Sequence, residues 1–165
     1  MRSSTMRASS RWNEFRARGG MWVVAQFALM GLIAVAWLLP PEWPEAVRLP
    51  FRIVGAVLVG LGLGLALWAH RALGRAFTPF PQPPGDAPRT ESGPYRYARH
   101  PMYGGGILVF TGLSLALSVP SLVPTIMLAA LWRAKSGVEE LALADRFPDY
   151  ERYRSRTPRR FLPWR

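Results

Sequence analysis

Nineteen consecutive residues, Met21 to Leu39 (MWVVAQFALMGLIAVAWLL), carry no charge. As an α-helix they rise about 28 Å, close to the hydrocarbon thickness of a bilayer. A run of this kind crosses a membrane or serves as the apolar stretch of a signal peptide. It is longer than such a stretch, and the PPEWPEA that follows is a poor cleavage site, so the membrane reading fits better.

Three more apolar runs follow: Ile53–Ala69, Ile107–Val119 (extended N-terminally by Met102–Gly106) and the shorter Leu122–Trp132. In the second, Ala56, Gly60 and Gly64 recur every fourth residue, a smooth stripe along which two helices can approach closely in lipid. Ser118-Val119-Pro120-Ser121 has room only for a tight turn, so the last two runs are expected to form a helical hairpin. Leu122–Trp132 alone cannot cross a bilayer. Its helix is expected to continue through Arg133, Lys135, Glu139 and Glu140 and to end among headgroups or in cytosol.

The net charge is +11 although half of the residues are hydrophobic, a combination that suits a membrane protein with basic flanks better than a soluble globule. The arginines stand in blocks between apolar runs. This favours anionic lipid as a partner over nucleic acid. With no cysteine there is no disulfide or thiolate chemistry, most zinc and iron–sulfur sites are ruled out, and no metal is expected. Nineteen of the 21 Lys and Arg residues fall on one side of a four-span arrangement; only Arg48 and Arg52 fall on the other. The positive-inside rule then puts both termini in the cytoplasm, with Thr78–Pro88 (TPFPQPPGDAP), a loop too proline-rich for regular helix. The fold expected is all-α: one multi-pass membrane domain over 1–165, a helix bundle of about four transmembrane helices with a C-terminal helical hairpin and cytoplasmic tail. Residues 1–20 form its basic N-terminus and 21–72 its first two membrane helices.

The segment Gly93–Gly106, GPYRYARHPMYGGG, has residues that bilayer insertion does not need. Pro101 suits the first turn of a helix, and His100 and Tyr103, three apart, share a face. Gly104, Gly105 and Gly106 are expected to keep that turn bare, so that backbone N–H groups, Arg99 and His100 suit a carboxylate or phosphate. The hairpin brings Lys135, Glu139 and Glu140 beside this helix start. A small zwitterion with an added cationic centre fits between the two groups. Interfacial anchoring explains each motif taken singly.

Together, GPYRYARHPMYGG, one hydrophobic hairpin and EELALADRFPDYERYRSRTPRRFLP closely resemble the isoprenylcysteine carboxyl methyltransferase family, whose superfamily includes the phospholipid N-methyltransferases. The residues that carry the resemblance include Gly93, Tyr95, Arg99, His100, Pro101, Tyr103, Gly105, Glu139, Glu140, Phe147, Tyr150, Tyr153 and Pro158. It implies an S-adenosylmethionine-dependent membrane methyltransferase with a lipophilic acceptor drawn from the bilayer, and a catalytic region over 73–165 made of cofactor loop, hairpin and tail. It also implies a cytoplasmic cofactor site lined by Tyr95, Arg99, His100, Pro101, Met102 and Tyr103 and closed by Glu139. Glu140 and Lys135 are the residues expected to act on the acceptor; Lys135 stands where the family usually has arginine and lacks its planar, bidentate donor pair. A carboxylate acceptor needs no base, whereas an amine or thiol must lose a proton, with Glu140 or Tyr103 as nearest candidates. The competing readings are an NADPH-dependent membrane reductase of sterol-reductase type, which shares an R-H-P-x-Y stretch, and a non-enzymatic membrane scaffold.

Overall fold

The computed structural model describes residues 12–40, 43–83 and 88–163; most of the basic N-terminus and the middle of the proline-rich loop lie outside them. Among the described residues every regular element is helical. A helical stretch over 12–17 precedes α1 (Gly20–Ala36), α2 (Glu45–Leu73), α3 (Pro101–Leu117), α4 (Leu122–Arg146) and the short α5 (Tyr150–Arg156).

Helix ends follow from proline and glycine. α1 ends at Ala36, three residues before the end of the apolar run, because Pro40 has no N–H to give the Ala36 carbonyl its helical bond. α2 starts after Pro44, carries Pro50 within it, and stops at Gly74, whose φ of +52° suits glycine. Among the described residues, length and apolarity together mark one candidate membrane span, Glu45–Ala76. α1 and α3 are shorter apolar helices of 17 residues, rising about 25 Å each. α4 has 25 residues, but only its first part is apolar, and it runs on through the charged residues as the sequence suggests.

The solvent pattern is that of an inverted globule. Phe27, Leu32, Val35, Ile53, Val57, Leu61, Ile126 and Met127 are exposed, whereas His100, Ser114, Ser118, Ser121, Lys135, Ser136 and Glu140 are buried. An apolar exterior this extensive suits lipid contact. At the turn of the α3–α4 hairpin, Ser118 Oγ donates to Ala36 O at 2.9 Å and Leu39 O at 3.0 Å, tying the hairpin to the end of α1. Ser114 and Thr125 hydroxyls bridge its two arms at 2.9 Å.

α1 packs on α4 around Ile33, Leu128 and Trp132, and α2 packs on α3. The second contact is a glycine seam, and it corrects the stripe expected from the sequence. Ala56, Gly60 and Gly64 are exposed, and nothing lies within 4 Å of a Cβ added at Gly60 or Gly64. Gly55 and Gly62 face α3 instead. A Cβ on Gly62 would lie 2.6 Å from Gly105 O, and one on Gly105 2.7 Å from Gly62 O. Gly55 and Gly112 meet in the same reciprocal way, at 2.4 and 2.5 Å. A row of every fourth residue slants about 26° across a helix, while a seven-residue step stays nearly in line with an antiparallel partner. The glycine spacing that matters is therefore seven.

Candidate functional site

The site forms where α3 begins and the charged part of α4 passes it. Gly93 opens a 3-10 turn at φ +57°; a Cβ there would lie 3.0 Å from Ala72 Cβ and 3.1 Å from Trp68 Nε1. The turn buries Pro94 and Tyr95. His100, kept out of helical geometry by the proline after it, is the N-cap of α3, and Pro101 is its first residue.

The hairpin brings His100 and the paired acids together. His100 Nε2 lies 3.1 Å from Glu140 Oε1, and Nδ1 lies 3.3 Å from Glu139 Oε2. A ring with a carboxylate at each nitrogen satisfies both only as the imidazolium, which has two N–H donors. Burial opposes that charge, but the hydrogen bonds to Glu139 and Glu140 outweigh it and raise the pKa of His100 above the ordinary value. Glu140 also accepts from Arg99 Nε at 2.9 Å and Arg160 Nη2 at 3.4 Å. Burial resists its ionisation; the bonds from His100 and Arg99 prevail and hold its carboxyl at about 2. Glu139 accepts from the Tyr103 hydroxyl as well. The His100, Tyr103 and Trp132 rings stack in series, centroids 5.8 and 5.4 Å apart.

The start of α3 is not bare. The backbone N–H groups of Arg99 and His100 donate to Arg159 O and Arg160 O at 3.0 and 2.6 Å, and Arg99 Nη1 donates to Thr157 O and Pro158 O. The C-terminal tail thus lies across the helix start. Each glycine of the GGG receives a different neighbour: Gly104 the Phe161 carbonyl, Gly105 α2, and Gly106 the Trp132 ring. The glycines serve close approach from three sides rather than an open anion seat.

A cavity of about 390 Å³ opens beside this network. Tyr95, Arg99, His100, Met102, Tyr103, Lys135 and Glu139 line it, and Pro101 and Glu140 do not. Among the lining residues that sequence reasoning did not assign to the site are Gln26, Phe80, Trp132 and Tyr150. The Tyr150 hydroxyl is buried with no hydrogen-bond partner among the described residues. Gln26 could have been noticed as the only side-chain amide in the run Met21–Leu39. The cavity extends from the charged end along Met30 of α1, Ala66 and Leu73 of α2 and Phe110 of α3 to the exposed Phe27 and Phe77. The lining of this apolar arm comes from both α1 and α2. Arg89 lies at its edge, over the rings of Phe147, Tyr150 and Tyr153, and ion-pairs with Asp149 and Glu91; it joins the proline-rich loop to the tail.

A family model described as phospholipid methyltransferase matches residues 51–149, from within α2 to the end of the charged stretch after α4. The chain belongs to the phospholipid methyltransferase family. Membership makes it a membrane methyltransferase, in a family that generally uses S-adenosylmethionine. No curated protein matches the chain. The matched span holds His100, Tyr103, Lys135 and the Glu139–Glu140 pair; α1 with Gln26 and the tail with Arg160 lie outside it.

Proposed function

We propose that the chain is a multi-pass, S-adenosylmethionine-dependent methyltransferase that modifies a lipophilic acceptor taken from the bilayer, with the site, both termini and the basic tail on the cytoplasmic side against anionic lipid. The single observation that carries the reading is the two-part cavity. Its charged end holds Arg99, His100 and Glu139, and its apolar arm, lined from both α1 and α2, runs to exposed aromatic residues. The volume falls in the range of small-molecule and cofactor sites. The residues fit the cofactor: the unpartnered Tyr150 hydroxyl can bond a ribose or carboxylate oxygen, and Glu139 can receive an ammonium.

In this reading Tyr95, Arg99, His100, Met102, Tyr103 and Glu139 form the cofactor end, and 73–165 is the catalytic region. Pro101 sets the start of α3 instead of touching ligand. Glu140, away from the cavity wall and held by three cations, is a poor base and serves to position Arg99 and His100. When bound, S-adenosylmethionine supplies an electrophilic methyl group. The protein holds donor and acceptor in line, and such positioning contributes much of the acceleration.

S-adenosylhomocysteine binding to purified protein in detergent, measured by calorimetry, tests the cofactor assignment. Glu139→Ala and His100→Ala are expected to weaken it by tenfold or more; unchanged affinity in both overturns it. Incubation with methyl-labelled cofactor and a native lipid extract then identifies the acceptor.

A further inference from the structure

We propose that Gln26 of α1 recognises the acceptor lipid: its side-chain N–H2 donates to an oxygen of the lipid where the polar head joins the chain, and Lys135 and Trp132 hold the amide in that orientation. The inference rests on the methyltransferase reading above and deepens it.

Gln26 Oε1 accepts twice, from Trp132 Nε1 at 2.9 Å and from Lys135 Nζ at 3.0 Å. Indole and ammonium N–H groups can only donate, so the amide has one orientation; turned over, its N–H2 would face two donors. Lys135 is 1 % exposed, and the protein itself occupies its ammonium. Besides Gln26 it donates to Pro79 O at 2.6 Å, and the Tyr103 ring lies 5.5 Å from Nζ, within reach of a cation. Two donors on α4 thus pin the amide oxygen, and with it the direction of the amide nitrogen.

That nitrogen carries two N–H donors, and among the described residues it has no partner. It is not sealed inside the protein either, unlike Trp37 Nε1, Trp43 Nε1, Arg89 Nε and the Tyr150 hydroxyl. Gln26 lines the cavity, as do Trp132 and Lys135, which grip its oxygen. The N–H2 therefore opens on the cavity. Donors in such an apolar surrounding are costly until an acceptor meets them.

Place in the cavity decides which ligand meets them. On one side Gln26 is bonded to Lys135, beside Tyr103 at the charged end; on the other it adjoins Phe27 and Met30 of the apolar arm. A lipid whose chain fills the arm and whose reactive group lies at the charged end must carry the atoms that join the two past Gln26. A carbonyl or phosphoryl oxygen, with a free lone pair, fits there. A hydrocarbon link would leave the donors unmet, and a site built to bond a polar group rejects ligands that lack it. α1 lies outside the stretch that matches the family model, so this contact comes from a part of the chain that family membership does not describe.

Gln26→Glu separates recognition from support. It keeps an oxygen for Trp132 and Lys135 and adds a counter-charge, but it replaces the N–H2 with a second oxygen. Methyl transfer to a native lipid extract, followed with labelled cofactor, is expected to show the KM for the extract raised about tenfold or more, while S-adenosylhomocysteine affinity changes less than about threefold and Tm in detergent does not fall. An unchanged KM overturns the proposal, since an amide that only supports its neighbours loses nothing in Gln26→Glu. A fall in S-adenosylhomocysteine affinity with the KM unchanged gives the N–H2 to the cofactor and overturns it as well. Trp132→Phe, which releases one side of the amide oxygen, is expected to raise the same KM by less and to keep kcat; a fall in kcat alone overturns the orienting role. A second measurement uses the unaltered site. Gln26 and Gln82 are the only glutamines in the chain, so protein labelled with ¹⁵N at glutamine side chains, with a glutamine-free tag, gives two N–H2 pairs. Gln82 is exposed and off the cavity wall, and Gln82→Ala assigns them. The Gln26 pair is expected to move as lipid extract is added and the Gln82 pair to stay; a Gln26 pair that ignores the extract overturns the proposal. Wild-type protein that neither binds S-adenosylhomocysteine nor transfers methyl overturns the methyltransferase reading instead, and the ¹⁵N shift registers the lipid contact separately.

Discussion

α3 meets its two main neighbours in opposite ways. Along α2 it is joined through Gly55, Gly62, Gly105 and Gly112, where backbone lies against backbone and no side chain intervenes. At its start it faces α4 and the tail through Arg99, His100, Glu139, Glu140 and Arg160, a charged network around one imidazole. The seam relies on shape, van der Waals contact and weak Cα–H···O approaches, which are insensitive to pH. The network relies on each charge having its counter-charge. One helix is thus fixed in position at the seam and given its chemistry at the site. The two contacts should fail differently.

The largest effect is expected at the network. Glu140→Ala leaves Arg99 and His100 buried with only Glu139 nearby, and breaking such a cluster from one side costs about 3–5 kcal/mol. Thermal unfolding in detergent should show it as a large fall in Tm. Glu140→Gln, which keeps the shape but removes the charge, should recover little of the loss. Full recovery by Gln would mean that the carboxylate acts by volume and not by charge.

The pH dependence of stability comes next. Glu140, held down at about 2 against an ordinary 4.5, stabilises the fold above pH 4.5 and loses this contribution as pH falls towards 2. His100, with its pKa raised from 6.5, stabilises the fold fully below pH 6.5 and loses this contribution as pH rises through its folded value. Both contribute between about pH 4.5 and 6.5, so Tm should be highest there and decline on either side. In Glu140→Gln the acid-side decline should flatten. In a seam variant the whole curve should drop without changing shape, and a seam variant that alters the shape would show that the two contacts are not separable.

The sequence made the network legible and left the seam and the tail hidden. Four residues at Ser118–Ser121 allow one connection, a tight turn, and a tight turn between helices of these lengths must put Glu139 and Glu140 near His100. The seam was ambiguous because α2 is rich in small residues, and the four-residue row Ala56, Gly60, Gly64 is as regular as the seven-residue pair Gly55 and Gly62. Only the partner's glycines at 105 and 112 decide between them. The tail over the helix start was invisible for another reason. Arg159 and Arg160 meet the helix start through backbone carbonyls, which every residue has. Gln26 was visible as an oddity in an apolar run, but its use depends on α1 docking against α4.

The smallest effect tests the seam most sharply, through two glycines two residues apart. A methyl added at Gly62 meets Gly105 O at 2.6 Å and Val109 N at 2.8 Å, both rigid backbone, so Gly62→Ala should cost about 1–3 kcal/mol by overpacking. A methyl added at Gly60 meets nothing within 4 Å, and alanine holds helix better than glycine by up to about 1 kcal/mol in water. Gly60→Ala should therefore leave Tm unchanged or raise it slightly. The opposite signs matter more than either magnitude, because helix propensity is the same at the two positions and what differs is that Gly62 is buried against α3 while Gly60 is exposed. If Gly60→Ala lowers Tm as far as Gly62→Ala does, the stripe of every fourth residue is itself a contact surface, and α2 has a second partner along Ala56, Gly60 and Gly64.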